Sequence, residues 1–257
     1  MTDTARHEGE PHTIIALHGR FGWGQGWGAD FPELLARAAG EDSTILWIDY
    51  RGYGERLGET GEYTLGEIAD DVLARLDAAG VERFTLVGHS MGGAAALRIA
   101  ARAPERVRAI VGVSPVGATP TPFDDASRQL FEGAPAEDAN RAAIIDATTS
   151  HRHSQTWVQH LVAESREHST EESFGRHLQA WTSADFADEV PSDLPALVVV
   201  GAHDPALGEG PSARRGAGCC RTPRSWCCRS RGTTRCSSSP WRWPTRSSPS
   251  CAPTDAT

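Results

Sequence analysis

Residues 83–102 read RFTLVGHSMGGAAALRIAAR, and the rest of the chain can be interpreted outward from them. An apolar, β-prone run from Phe84 to Val87 ends in Gly-His-Ser-Met-Gly at residues 88–92, and a helix-forming segment follows from Ala94. A G-x-S-x-G pattern between a strand and a helix is typical of a nucleophile elbow, a strained turn that exposes its serine. A Gly-rich turn with an incidental serine is the alternative, but the flanking elements favour the elbow. We therefore predict that Ser90 is a nucleophile.

Apolar runs and helix-like segments alternate along the first half of the chain. Thr64 is a candidate N-cap with Glu67 three residues on, which is the spacing of a capping box. Continuous apolar strands that alternate with helices indicate an α/β fold, in which helices cover both faces of a mostly parallel sheet. The predicted strands are 13–17, 44–48, 84–87, 107–113 and 195–201, and the predicted helices are 29–39 and 64–79.

The elbow resembles that of the α/β-hydrolase family, whose members commonly carry Gly-His-Ser-Met-Gly-Gly at this place. The resemblance covers about residues 12–204. It implies a helical lid inserted between core strands and acyl transfer to water by a serine, histidine and aspartate triad. It implies no metal and no cofactor, and the expected partner is a small-molecule acyl substrate. We divide the chain into an N-terminal segment (1–11), a core (12–116), a lid (117–190), a last core strand with the acid loop (191–210) and an atypical tail (211–257).

The resemblance assigns the oxyanion hole to two backbone N–H groups. One is that of Met91, directly after the nucleophile, and the other follows the pair His18–Gly19. Arg20 is the simplest choice for this second donor, with Phe21 as the alternative. His18 leads this loop and is expected to brace it.

For three further residues near the expected site we favour a structural role over a catalytic one. Asp49 and Arg51 belong to a D-x-R-G-x-G segment and are expected to brace loops without taking part in the chemistry. His89 precedes the nucleophile and is expected to pack.

Asp204 is the predicted catalytic acid. The resemblance implies a catalytic acid in the loop after a late core strand. Asp204 follows the apolar segment 195–201, and open α/β sheets present functional residues at the carboxyl ends of their strands. A turn-forming aspartate before Pro205 is the alternative interpretation. Asp185 and Asp188 are weaker candidates, because no strand precedes them.

Residues 117–190 contain proline breaks followed by helix-prone segments at 141–148, 156–164 and 171–180. These segments predict the lid. Candidates to line the acyl pocket are Phe21 in the oxyanion loop and, in the lid, Trp157, Leu161, Phe174, Leu178 and Trp181. Packing onto the core is an equally good interpretation for each lid tryptophan.

The family order of the triad is serine, aspartate, histidine, yet no histidine follows Asp204. His151 and His153 form an H-x-H pair in the lid, where a solvated surface position is the favoured interpretation of both. The chain as written therefore lacks the expected general base.

The composition changes abruptly near residue 211. Residues 1–210 hold 16 Arg and 33 Asp and Glu, a net charge of −17, whereas residues 211–257 hold 9 Arg and one Asp, a net charge of +8. No lysine occurs, and all six cysteines lie in the tail. A disulfide or zinc module is one interpretation of the paired cysteines, but adjacent cysteines lack C-x-x-C spacing and the tail holds no histidine. The other interpretations are a basic disordered tail and a segment translated in the wrong frame.

The genetic code allows a test of the frameshift interpretation. When the last base of each codon is joined to the first two of the next, the pair Cys219–Cys220 must give leucine and Trp226–Cys227 must give valine. Residues 231–238 are then compatible with G-H-Y-P-M-F-E, a Gly-His pair like the one that carries the family's catalytic histidine. The histidine is permitted by codon degeneracy rather than required. A frameshift near residues 205–218 is the leading interpretation.

Composition excludes several classes of function. The acidic body disfavours a nucleic-acid partner. No run approaches the roughly 20 apolar residues of a membrane span, and Met1–Glu10 lacks an apolar leader, so we expect a cytoplasmic protein.

The predicted function is hydrolysis of a small-molecule ester or related acyl bond. A non-catalytic binder of an apolar ligand or partner, and a cofactor-free perhydrolase or haloperoxidase with the same triad, are the alternatives. The sequence leaves the oligomeric state open.

Overall fold

Five parallel strands form one sheet in the order β2-β1-β3-β4-β5. The computed structural model describes residues 12–28 and 30–205. The predicted N-terminal segment 1–11, the end of the acid loop and the atypical tail 211–257 lie outside the described residues. The strands are β1 His12–Leu17, β2 Ser43–Ile48, β3 Phe84–His89, β4 Val107–Val113 and β5 Ala196–Val199.

In the described ranges, three α-helices pack against this sheet, and four lie between β4 and β5, in the segment that is predicted to be the lid; these four are called the lid helices below. No helix in the described ranges is long and apolar enough to cross a membrane. The core helices are α1 Phe31–Ala39, α2 Leu65–Ala78 and α3 Met91–Arg102, and the lid helices are α4 Asp125–Gly133, α5 Asp138–Thr148, α6 Gln155–Glu167 and α7 Glu171–Thr182.

Strand β1 shows why both faces of the sheet are covered. Its side chains alternate, so Ile14 and Ala16 join one apolar cluster while Ile15 and Leu17 join the other. The first cluster contains Phe31 of α1, and the second contains the apolar faces of α2 and α3. The predicted α/β architecture is therefore confirmed.

The strand order places the loops after β1 and β3 side by side. The chain leaves β1 toward β2 on one side and returns to β3 on the other, so the direction of winding reverses between these two strands. A crevice opens at such a reversal, at the carboxyl ends of the strands. The predicted oxyanion loop follows β1 and Ser90 follows β3, so the topology brings both to this crevice.

Local capping explains where two of the helices begin. The Thr64 side chain accepts a hydrogen bond from the N–H of Glu67 at 3.0 Å, as predicted. The reciprocal half of the capping box does not form, because the Glu67 carboxylate accepts instead from the N–H groups of Glu62 and Tyr63. Helix α4 has no counterpart in the sequence prediction, although Asp124 caps it through the N–H of Ser127.

Strand β5 is short and pairs with β4 on one side. Within the described part of the chain nothing pairs with its other edge. Val198 is 40% exposed, an unusual value for an apolar strand residue in a parallel sheet. This strand ends five residues before Asp204.

Candidate active site

Ser90 occupies a strained turn between β3 and α3. Its backbone has φ 51° and ψ −122°, a region that a residue with a side chain adopts only when its surroundings hold it there. Three hydrogen bonds do so: the N–H of Ser90 donates to the carbonyl of Val113 at 3.1 Å, and its own carbonyl accepts from Gly93 and Val116 at 2.9 Å each. This is the geometry that the elbow prediction requires.

The glycines around Ser90 are present because side chains would not fit there. A Cβ at Gly88 would collide with the backbone of Gly92, and one at Gly92 would collide with the carbonyl of Leu17. A Cβ at Gly93 would collide with Pro115. The elbow is therefore packed tightly against β1 and against the segment that follows β4.

The loop that carries the predicted donor Arg20 approaches Ser90 closely. A Cβ added to Gly19 would be 3.0 Å from the Cβ of Ser90, so the two loops are in contact. The N–H of Gly22 donates to the carbonyl of Gly19 at 3.0 Å, and Arg20 and Phe21 are the central residues of this turn. Their own N–H groups take no part in closing it. The N–H of Met91 begins helix α3 and has no intrahelical acceptor.

His18 is a buried, neutral part of the loop. It is 2% exposed, and its ring lies 4.0 Å from the ring of Tyr50 and 5.0 Å from that of Tyr53. Burial lowers the pKa of His18 to about 3, and the Nδ1 atom donates to the carbonyl of Gly19 at 2.8 Å. These contacts agree with the predicted bracing role.

Asp204 lies within electrostatic reach of His89, the residue before the nucleophile. Burial lowers the pKa of His89 to about 4, and the charge of Asp204 opposes this shift. The N–H of Asp204 donates to the carbonyl of Gly201 at 3.0 Å, so a turn presents it after β5. The structure thus brings the predicted acid to the same edge of the sheet as Ser90.

Asp49 and Arg51 stabilise neighbouring loops, in agreement with the sequence interpretation. The Asp49 carboxylate accepts from the N–H of Gly24 at 2.5 Å and from that of Glu55 at 3.1 Å. Arg51 donates two hydrogen bonds to Asp71, at 2.8 and 2.9 Å. Both residues therefore have structural partners.

The H-x-H pair lies on the lid beside the acid loop. The His151 ring is exposed, as predicted, and its Nδ1 atom lies 2.6 Å from a carboxylate oxygen of Asp146. The predicted solvated position is wrong for His153, which is half-buried because its ring stacks on Trp157 at 3.8 Å. The Ser150 hydroxyl donates to the carbonyl of His203, which joins this lid segment to the loop that carries Asp204.

Phe174, one of the predicted pocket residues, is fully buried. Three others, Phe21, Trp157 and Trp181, fall into two groups. Phe21 and Trp157 are half-buried and pack against one lid cluster of α5 and α6. Trp181 is 8% exposed and belongs to the main core cluster, where its ring meets those of Phe123 and Phe131 edge-on. The structure thus brings Phe21 and Trp157 together and places Trp181 elsewhere.

Sequence reasoning missed two buried polar side chains on the lid helices, Arg141 on α5 and His177 on α7. Arg141 is fully buried, and His177 is 1% exposed, with its Nδ1 donating to the carbonyl of Ser173 at 2.9 Å. Burial lowers the pKa of His177 to about 3. A signal existed for Arg141, because it is three and four residues before the apolar pair Ile144–Ile145 and so lies on the inner face of α5. In the described ranges no group of three or more histidine, cysteine or carboxylate side chains is arranged to hold a metal ion.

Comparison with known proteins agrees with this architecture. A family model described as the alpha/beta hydrolase fold matches residues 12–215. The crystal structure of bromoperoxidase from Bacillus anthracis superposes with a TM-score of 0.67 at 19% identity, covering 83% of this chain and 82% of that one. At this identity the likeness concerns the fold alone.

Curated relatives match over a shorter stretch. The dihydrolipoyllysine-residue acetyltransferase component of the acetoin cleaving system from Cupriavidus necator is 34% identical over 113 residues, covering 44% of this chain and 29% of that protein. Esterase YbfF from Escherichia coli K12 is 30% identical over 110 residues, covering 43% and 41%. The chain thus spans less than half the length of these relatives.

Proposed function

The chain belongs to the α/β-hydrolase fold family, and we propose that it is a serine hydrolase that cleaves an ester or related acyl bond of a small molecule. The observation that carries this proposal is the backbone of Ser90. A non-glycine residue at φ 51° stores strain, and three surrounding glycines and three hydrogen bonds preserve it. In a nucleophile elbow, this strained turn exposes the serine hydroxyl beside the two N–H donors of the oxyanion hole.

In the proposed reaction the Ser90 hydroxyl oxygen attacks the substrate carbonyl carbon. The hydroxyl proton passes to a base and then to the departing alcohol, which leaves an acyl-enzyme. Water attacks the acyl carbon, its proton returns through the base to Ser90, and a carboxylic acid is released. The N–H groups of Met91 and Arg20 stabilise the oxyanion of both tetrahedral intermediates, and removal of one such donor lowers kcat by about 10²–10³-fold.

Asp204 is proposed to orient the base and to stabilise its protonated form. The base is expected to be a histidine after Asp204, and the chain as written contains none. Loss of a triad member lowers kcat by about 10⁴-fold or more and leaves the contribution of the oxyanion hole. We therefore expect weak residual hydrolysis from this chain.

A frameshift near residues 205–218 is the proposed reason for the missing base. The tail's charge, cysteine content and lack of apolar periodicity all change where the hydrolase pattern ends. Sequencing the gene across codons 200–240 tests this. An open alternative frame that contains Gly-His supports a complete hydrolase, whereas a closed frame or one without histidine refutes the frameshift.

A non-catalytic protein that binds a small apolar ligand is the second candidate, and the missing histidine favours it. Labelling with a fluorophosphonate probe separates the two, because an activated serine reacts covalently and a binding site does not. We expect slow labelling of the native chain, because the oxyanion hole remains although the base is missing, and its loss in Ser90→Ala. Ser114→Ala is the matched control, since Ser114 is also a half-buried serine at positive φ (40°). No labelling above that of Ser90→Ala would refute the hydrolase proposal.

A further inference from the structure

Arg20 points its backbone and its side chain toward different parts of the molecule. Its backbone lies in the turn beside Ser90 and provides the predicted oxyanion donor. Its side chain is turned into the lid and the residue is only 3% exposed. There Nε donates to the carbonyl of Phe174 on α7 at 2.7 Å, and Nη2 donates to the carbonyl of Phe131 on α4 at 3.2 Å.

The guanidinium groups of Arg20 and Arg141 both lie against the ring of Phe174. Its Cζ lies 3.9 Å from the ring centre of Phe174, and the Cζ of Arg141 lies 3.7 Å from the same centre. Phe174 is fully buried, and Phe21 from the oxyanion loop meets its ring edge-on at 5.0 Å. Each cation is therefore stabilised by a desolvated aromatic ring as well as by carbonyl groups.

Neither arginine forms an ion pair with a carboxylate in the portion of the chain that the structure describes. Burial lowers the pKa of Arg20 to about 9 and that of Arg141 to about 10, so both remain charged at neutral pH. Both also donate to carbonyls at the C-terminal end of α4, Nη2 of Arg20 to Phe131 at 3.2 Å and Nε of Arg141 to Ala134 at 2.9 Å. This is the negative end of the helix dipole. The lid is therefore the electrostatic partner of Arg20.

The lid helix that receives Arg20 is fixed to the core independently. The N–H of Thr170, at the start of α7, donates to the carbonyl of Gly52 at 3.0 Å, and the N–H of Gly54 donates to His168 at 3.0 Å. On its other side the Arg20 carbonyl accepts from the Tyr53 hydroxyl at 3.1 Å. The peptide group of Arg20 is thus held between core and lid.

We propose that the Arg20 side chain is a positioning residue that orients its own backbone N–H for the oxyanion by anchoring the loop to lid helices α4 and α7. This inference rests on the proposed function. It makes the lid a structural part of the oxyanion hole in addition to a wall of the pocket. The oxyanion donor is then in place only while α4 and α7 are docked.

The test replaces Arg20 by methionine, which keeps most of the apolar side-chain volume and removes the donors and the charge. Arg141→Met is the matched control, because it removes the other guanidinium group against Phe174 but has no bond to the oxyanion loop. Hydrogen exchange of the full chain is measured on peptides that cover the loop (19–24) and the lid (126–136 and 171–182). We expect exchange at the loop to accelerate at least about tenfold in Arg20→Met, whereas Arg141→Met accelerates exchange in the lid alone.

Hydrolysis of p-nitrophenyl butyrate provides the second readout. We expect Arg20→Met to lower kcat by about 10²-fold with KM nearly unchanged, since a misplaced donor acts on the transition state. Arg20→Lys should recover part of the loss, because it restores the charge but not both hydrogen bonds. Unchanged loop exchange in Arg20→Met, or equal loop acceleration in both methionine variants, would overturn the inference. Failure of the hydrolase proposal instead appears as absent Ser90 labelling in the native chain, and the exchange data still decide whether Arg20 anchors the loop.

Discussion

Replacing Gly92 by alanine sets two local effects against each other. Gly92 is the second residue of helix α3, and in a helix alanine is more favourable than glycine by about 0.8–1.0 kcal/mol. A Cβ at this position would, however, collide with the carbonyl of Leu17 and lie 2.9 Å from the carbonyl oxygen of His18. Both groups are backbone at the end of a central strand, so neither can rotate away.

The clash is expected to exceed the gain in helix propensity. Overpacking of a tight core costs about 1–3 kcal/mol, and rigid backbone neighbours place Gly92→Ala toward the upper end. We expect a net decrease of about 1–2 kcal/mol in the free energy of unfolding. For a chain of this size that corresponds to a fall in Tm of roughly 2–8 °C. Displacement of the Leu17–His18 segment should also reduce labelling of Ser90.

Gly66→Ala is the matched control for this prediction. Gly66 is also the second residue of its helix, α2, but the one tight contact of its Cβ would be with the end of the Arg102 side chain, at 2.9 Å, while Thr64 Oγ1 would lie at an ordinary 3.5 Å. That side chain is 34% exposed and can move, so we expect Gly66→Ala to be neutral or stabilising by up to about 1 kcal/mol. Urea and thermal unfolding followed by circular dichroism measure both variants. Gly92→Ala with native or higher stability would refute the argument that close packing dictates this glycine.

Two further predictions concern buried polar groups. Asp49→Ala removes the acceptor of the Gly24 and Glu55 N–H groups, so we expect the free energy of unfolding in urea to fall by about 1–3 kcal/mol. Asp49→Asn keeps an acceptor oxygen and should lose less stability. An unchanged free energy of unfolding in Asp49→Ala would show that the two N–H groups find other partners. Burial lowers the pKa of His177 to about 3, below its unfolded value, so the unfolded state binds the extra proton and stability falls as pH drops from about 6.5 toward 3. His177→Phe should therefore reduce the slope of the unfolding free energy against pH by up to about 1.4 kcal/mol per pH unit over that interval. His160→Gln is the control, because His160 is exposed. An unchanged slope in His177→Phe would contradict a buried, neutral His177.

Much of the site was accessible from the sequence because its components are local. Ser90, its glycines and its strand–turn–helix setting lie within about ten residues, and the structure shows that each glycine is required by a neighbouring atom. The oxyanion loop and Asp204 were placed through the resemblance to a family. Their proximity to Ser90 follows from strand order, which a single sequence does not specify.

Two features that the sequence did not predict, helix α4 and the partners of Glu67, have a physical explanation. Helix α4 follows a segment with two prolines and has few apolar residues, so periodicity did not indicate it, although Asp124 supplies a cap. The role of Glu67 was only half predicted, since its carboxylate has several N–H groups within reach and the loop geometry selects among them.

The sequence by itself determined the α/β alternation, the nucleophile elbow and the absence of a histidine after Asp204. These are properties of consecutive residues, where hydrophobic periodicity and turn chemistry act over short distances. The tertiary structure alone decided that Arg20 sends its side chain into the lid and shares Phe174 with Arg141, 121 positions further along the chain. A buried cation must be stabilised by nearby acceptors and rings, and only the packing of distant elements determines which carbonyls and rings supply them.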